Sequence, residues 1–97
     1  MEQSKLAKMF KALSNTQRLR ILEMVYEWDE GETCCIGVRK AFTRAADELQ
    51  ISRSTVSHHF KELENAGLIT CERNGQAIVC KVNEQALDAV RNFCRER

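Results

Sequence analysis

Two groups of side chains in this 97-residue chain have types and spacings suited to chemistry. The first is Cys34-Cys35, adjacent thiols in a polar stretch that has no apolar pattern to account for them. Neighbouring cysteines are too crowded for an easy mutual disulfide. With a third thiolate they suit a soft, pyramidal centre such as trivalent arsenic or antimony, and soft thiolates also hold cadmium, lead or mercury. The second group runs from Arg53 to Lys61, where Arg53, Ser54, Thr55, Ser57, His58 and Lys61 fall on one side of a helical pattern. Hydroxyls and a cation at a helix N-terminus bind phosphate, because the free backbone N–H groups there already favour anions. Arg53 and His58 are also long enough to reach base edges.

The elements that must position these residues are legible from periodicity. Val56, Phe60 and Leu63 recur at i, i+4 and i+7, which predicts a helix with one packed face over residues 52 to 67. Ser52 is its expected N-cap and Gly67 its left-handed stop. Upstream, Leu6, Met9, Phe10 and Leu13 mark a short amphipathic helix. Ser14 or Asn15 then caps a second helix from about Thr16 to Trp28, Ser14 with Gln17 matching the capping-box pattern. That helix is expected to bury Leu19, Leu22, Val25 and Tyr26. Residues 29 to 40 read as a loop or short strand. A third helix covers about Phe42 to Leu49, and Gln50 to Ser52 form a tight turn.

After Gly67 the period changes to two. Ile69 and Cys71, then Ile78, Cys80 and Val82, alternate around Asn74-Gly75, which is a strong hairpin signal with Arg73 beside its tip. Cys71 and Cys80 take inward positions and are expected to be core. Asn83 caps a last helix in which Leu87, Val90, Phe93 and Cys94 share a face. The fold class is therefore mainly α with a small β-hairpin: helix, helix, helix, recognition helix, wing, helix. This is a winged helix-turn-helix, and the length predicts a single domain over residues 1–97.

Composition narrows the function. Fifteen basic and fourteen acidic residues leave a formal charge of +1, so any affinity for nucleic acid must come from a local patch. Residues 39 to 61 supply one, with Arg39, Lys40, Arg44, Arg53 and Lys61 against Asp47 and Glu48. No apolar run suits a signal peptide or membrane span, which leads to the expectation of a cytoplasmic protein. In that reducing compartment five cysteines do not form a disulfide scaffold. No nucleophile is arranged with a base and an orienter, and no phosphate loop is present, so an enzyme is not expected. His58 and His59 diverge by about 100 degrees on a helix and lack a partner histidine four residues away, which argues against a metal pair.

Two phrases carry a family resemblance. Phe10-Lys-Ala-Leu-Ser-Asn-Thr-Gln-Arg-Leu-Arg-Ile-Leu22 and Ser54-Thr-Val-Ser-His-His-Phe-Lys-Glu-Leu-Glu-Asn-Ala-Gly-Leu-Ile69 resemble the signature segments of the ArsR/SmtB bacterial repressors. They stand in the expected order and separation, and the resemblance covers almost the whole chain. It implies a homodimer joined through the first and last helices, bound to a palindromic double-stranded operator without any required cofactor, and commonly released by a metal or other inducer. Carried over by position, the DNA-reading residues are Arg53, Ser54, Thr55, Ser57, His58 and His59, joined by Lys61 and Arg73 from the local reading. The terminal helices also each carry an apolar stripe that a domain this small has little left to cover, which independently favours a dimer.

Two inducer sites of that family are not matched. The arsenic-type Cys-x-Cys box is missing from Phe42-Thr-Arg-Ala-Ala-Asp-Glu-Leu49, and the zinc-type site fails because the last helix reads Asp88-Ala-Val-Arg91 and no histidine follows position 59. What remains is Cys34 and Cys35, with Cys94 as third thiolate because the last helix lies at the implied dimer seam. Arsenite or antimonite is the first expectation and a soft divalent metal the second. A thiol-redox or persulfide switch between Cys35 and Cys94 uses the same residues. A winged helix serving protein contacts is the remaining alternative.

Overall fold

The computed structural model describes residues 2–28, 43–74 and 77–95. Among these are five helices and one two-stranded hairpin: α1 (Gln3–Leu13), α2 (Thr16–Trp28), α3 (residues 43–49), α4 (Arg53–Asn65), β1 (Ile69–Asn74), β2 (Ala77–Val82) and α5 (Glu84–Arg95). Cys34, Cys35 and Phe42, along with the expected loop or strand at residues 29 to 40, lie outside the described residues.

The core forms where α2, α4 and the start of the hairpin meet. Ile21 and Val25 of α2, Val56 and Leu63 of α4, and Leu68 are wholly shielded from solvent, with Phe60, Ile69 and Val82 beside them. Ala45 and Ala46 are buried from α3, and their small side chains leave room for the close approach of neighbouring backbone. Met9 and Ala12 bring α1 onto the same core, and Ala86 brings α5.

The helix starts and stops follow local chemistry. Between α1 and α2 the N-cap is Asn15, whose Oδ1 accepts from the backbone N–H of Gln17 at 2.9 Å and of Arg18 at 3.1 Å. Ser14 turns the other way and donates to the Lys11 carbonyl at 2.6 Å, so the expected Ser14–Gln17 capping box does not form. Arg18 Nε donates to the Ala12 carbonyl at 2.7 Å, tying up one of the last acceptors of α1.

The inward face of α2 also differs from the sequence expectation. Leu22 and Val25 are buried as expected, but Leu19 is 44% and Tyr26 40% exposed, while Ile21 and Met24 are buried. The stripe is rotated because α2 packs against α4 and β2 as well as α1, and those partners decide which residues turn inward. In α5, Leu87 and Val90 are half-buried, whereas Phe93 and Cys94 are exposed. Cys94 is therefore not a packing residue of this chain's core.

Candidate nucleic-acid interface

The turn into α4 is built from backbone constraints. Gln50 adopts a left-handed conformation (φ 57°), its Nε2 donating to the Asp47 carbonyl at 3.0 Å, and the Ile51 N–H returns to the Ala46 carbonyl at 3.1 Å. These bonds close the turn that joins α3 to α4. Arg20 of α2 clamps α3 from outside, its Nε and Nη2 donating to the two oxygens of Glu48 at 2.6 and 3.2 Å. The guanidinium holds the Glu48 carboxyl below its usual range.

Ser52 caps α4 as expected, its Oγ accepting from the Thr55 N–H at 3.2 Å. The other end closes with the Gly67 N–H on the Glu64 carbonyl (2.9 Å) and the Leu68 N–H on the Leu63 carbonyl (3.0 Å). That paired bonding, with Gly67 at φ +80° and Leu63 buried with Leu68, is a Schellman stop. Both ends being pinned, the rotation of α4 is settled by its packed stripe of Val56, His59, Phe60 and Leu63.

With that stripe inward, Arg53, Ser54, Ser57, His58 and Lys61 are exposed and Thr55 is partly so. Arg53, Ser57 and Lys61 follow at i, i+4 and i+8, and Ser54 and His58 at i and i+4, so they form two parallel rows. His58 Nε2 lies 3.9 Å from Glu62 Oε1, an ion pair when the imidazole is protonated. The Ser52 and Thr55 hydroxyls are 2.8 Å apart at the helix start, among the free N–H groups of the first turn.

His59 must be removed from the reading set. It is 5% exposed and its Nε2 is 2.9 Å from Gln17 Oε1, so it joins α4 to α2 inside the protein. Burial pushes its imidazole below the ordinary value, with Arg18 and His58 adding to the effect. With Gln17 Oε1 as acceptor the proton sits on Nε2, and Nδ1 is buried without a partner. The inward placement was available from spacing, because His59 is i+3 from Val56 and i−4 from Leu63. Gln17 was not, being 42 positions away.

The hairpin pairs Ile69 with Val82, Cys71 with Cys80, Arg73 with Ile78 and Asn74 with Ala77. The pairing runs as far as Asn74–Ala77, so the hairpin forms around the expected Asn74-Gly75 signal, Gly75 itself lying outside the described residues. Arg73 stands near that tip, in β1. Thr70, Glu72 and Lys81 line the exposed face of the hairpin, and Ile69, Cys80 and Val82 the buried one. Of the expected soft-metal ligands, Cys94 is described and lies exposed on α5. No group of three or more potential metal-holding side chains is assembled among the described residues.

Three helices leading into a capped outer helix and a hairpin wing define the winged helix-turn-helix class. A family model described as "Bacterial regulatory protein, arsR family" matches residues 44–70. An uncharacterised HTH-type transcriptional regulator, YbzH, of Bacillus subtilis (strain 168) is 37% identical over 93 residues, spanning 89% of this chain and 91% of the relative. An arsenical resistance operon repressor of Staphylococcus xylosus is 31% identical over 90 residues, 93% of this chain and 77% of that protein. A homodimeric winged helix-turn-helix DNA-binding domain from Mycobacterium bovis, described as a possible ArsR-family transcriptional regulator, shares the fold. Its TM-score is 0.64 at 23% identity, over 97% of this chain and 81% of that one.

The chain belongs to the arsR family of bacterial regulatory proteins. This is a family of DNA-binding winged-helix transcriptional repressors, not of enzymes. No helix among the described residues is long and apolar enough to cross a membrane.

Proposed function

We propose that the whole chain acts as one DNA-reading module, paired with a second copy, that represses transcription at a palindromic operator. The observation that carries this reading is the outer face of α4, where Arg53, Ser54, Ser57, His58 and Lys61 are exposed on a helix fixed at both ends. Such a helix fits a major groove, with the hydroxyls of its first turn on phosphate and the longer side chains on base edges. Arg73, near the tip of β1, is assigned to the adjacent phosphate backbone. The partner copy is expected on the face formed by α1 and α5, where Phe10 and Phe93, each 37% exposed, meet edge to face with ring centroids 5.5 Å apart.

Release from the operator is assigned to a thiophilic metal or metalloid held by Cys34, Cys35 and Cys94, arsenite or antimonite in the first place. The exposure of Cys94 supports this, since a thiolate ligand must be reachable. A mobility shift with the DNA upstream of the protein's own gene, with and without arsenite, cadmium, zinc or oxidant, tests binding and inducer together. Retarded DNA that arsenite releases from the native protein, but not from a Cys34→Ser, Cys35→Ser double variant, supports the reading. Release from the double variant at the same arsenite concentration overturns the cysteine assignment. DNA that is never retarded overturns the whole.

A further inference from the structure

Cys71 and Cys80 face each other across the hairpin, and the backbone pattern places them at a position suited to a covalent bond. The Asn83 N–H donates to the Leu68 carbonyl at 2.8 Å, which makes Leu68–Asn83 a hydrogen-bonded pair of the antiparallel ladder. Counting along the register, Ile69–Val82 is then a non-hydrogen-bonded pair, Thr70–Lys81 a bonded one, and Cys71–Cys80 non-hydrogen-bonded again. At such positions opposed Cα atoms are only about 4.5 Å apart and the side chains lean together. That separation lies inside the range a disulfide spans, about 4.4–6.8 Å.

The two thiols differ in the way a resolving pair requires. Cys71 is partly exposed and Cys80 is buried. The Cys80 thiol opposite lowers the Cys71 thiol below its ordinary range, against the opposing pull of burial and of Glu64. The Cys71 thiol, with burial, raises Cys80. One sulfur is thus the reachable nucleophile and the other a shielded thiol on the residue directly opposite. No third His, Cys, Asp or Glu completes a metal-holding group around them among the described residues, so the pair fits a two-sulfur product better than a metal centre.

We propose that Cys71 and Cys80 form an oxidation site in the wing that small hydroperoxides convert to a cross-strand disulfide. The Cys71 thiolate attacks one peroxide oxygen, breaking the O–O bond, giving a sulfenic acid and releasing hydroxide, which takes up the proton lost by Cys71. Cys80 then attacks the sulfenic sulfur; the S–S bond forms, the S–O bond breaks, and the departing hydroxide takes the Cys80 proton to leave as water. Two thiols and one hydrogen peroxide become one disulfide and two waters. The site is separate from the proposed Cys34, Cys35 and Cys94 ligands and does not depend on DNA binding.

The full chain is treated with one equivalent of hydrogen peroxide, remaining thiols are alkylated, and the protein is digested with trypsin without reductant. Cleavage after Arg73 separates the two cysteines, so the disulfide appears as peptide 62–73 joined to peptide 74–81, lighter by two hydrogens than the sum of the reduced peptides. Titratable thiols are expected to fall from five to three per chain (5 − 2). In Cys80→Ser protein the reaction stops at a Cys71 sulfenic acid that dimedone traps, while Cys71→Ser protein leaves Cys80 unlabelled. Both cysteines alkylated in full while other thiols oxidise, or Cys71 carried on to sulfinic acid with Cys80 still free, overturns the proposal. The native-chain measurement needs no variant to fold.

Discussion

His59 Nε2 lies 2.9 Å from Gln17 Oε1, and this partly buried bond ties the outer helix α4 to α2. It also divides two adjacent histidines between opposite roles, His58 outside and His59 inside. A protonated His59 would leave a charge in the core with Nδ1 unmatched.

That burial gives stability a pH dependence. An unfolded chain titrates histidine near about 6.5, and the folded chain titrates His59 lower. Between those values the unfolded state holds more protons, so lowering the pH favours unfolding. The stability of neutral His59 is intact above the unfolded value and is lost as pH falls through it toward the folded one. Melting temperature measured from about pH 7.5 down to about 5.5 is expected to fall. A His59→Gln variant should show a shallower slope; an unchanged slope would place the effect on another group.

Gly67 ends α4 at φ +80°, yet a Cβ there would meet nothing within 4 Å. The cost of Gly67→Ala is therefore backbone strain alone, about 1 kcal/mol, without a steric clash. Urea denaturation should show a lower midpoint at unchanged slope. A loss of several kcal/mol would mean that the Schellman stop fails as a unit.

Between α1 and α2 the two neighbouring polar residues are not equivalent. Asn15→Ala removes the acceptor of two N–H groups and is expected to cost about 1 kcal/mol. Ser14→Ala, at an exposed site with a single bond to Lys11, should stay within about 0.5 kcal/mol. Equal losses for the two variants would restore the capping box as the start of α2.

Operator binding by α4 should be strongly salt-dependent. If Lys61 neutralises one phosphate, Lys61→Ala should reduce the slope of log affinity against log salt by about 0.9. Arg53→Ala should cost about 1–3 kcal/mol if the guanidinium reads a base edge, with relaxed preference at that base pair. A flat salt response in the parent protein would favour a protein partner over DNA.

Phe93→Arg places a charge on the exposed edge of the Phe10–Phe93 pair, away from the buried core. Sedimentation equilibrium of the parent should give the mass of two chains, and of the variant that of one, with the helical content kept. A variant that stays paired would move the seam off this face.

Much of the fold was legible because its signals are local. The stripe of Val56, Phe60 and Leu63, the Ser52 cap and the Gly67 stop all depend on residues within one or two turns of each other. The alternation from Ile69 to Val82 likewise announced a hairpin with Cys80 inward. The outward set Arg53, Ser54, Ser57, His58 and Lys61 follows from the same helical geometry. For Cys34 and Cys35 the reading still rests on sequence, since they lie outside the described residues.

What the chain order alone determined was which of the described segments are helix or strand, since this depends on backbone bonding and spacing over a few residues. Tertiary structure decided how α2 is rotated, exposing Leu19 and Tyr26. It also turned His59 toward Gln17 and brought Cys71 opposite Cys80 at a non-hydrogen-bonded position. Each of these depends on a partner from another element, and periodicity within one segment carries no term for what packs against it.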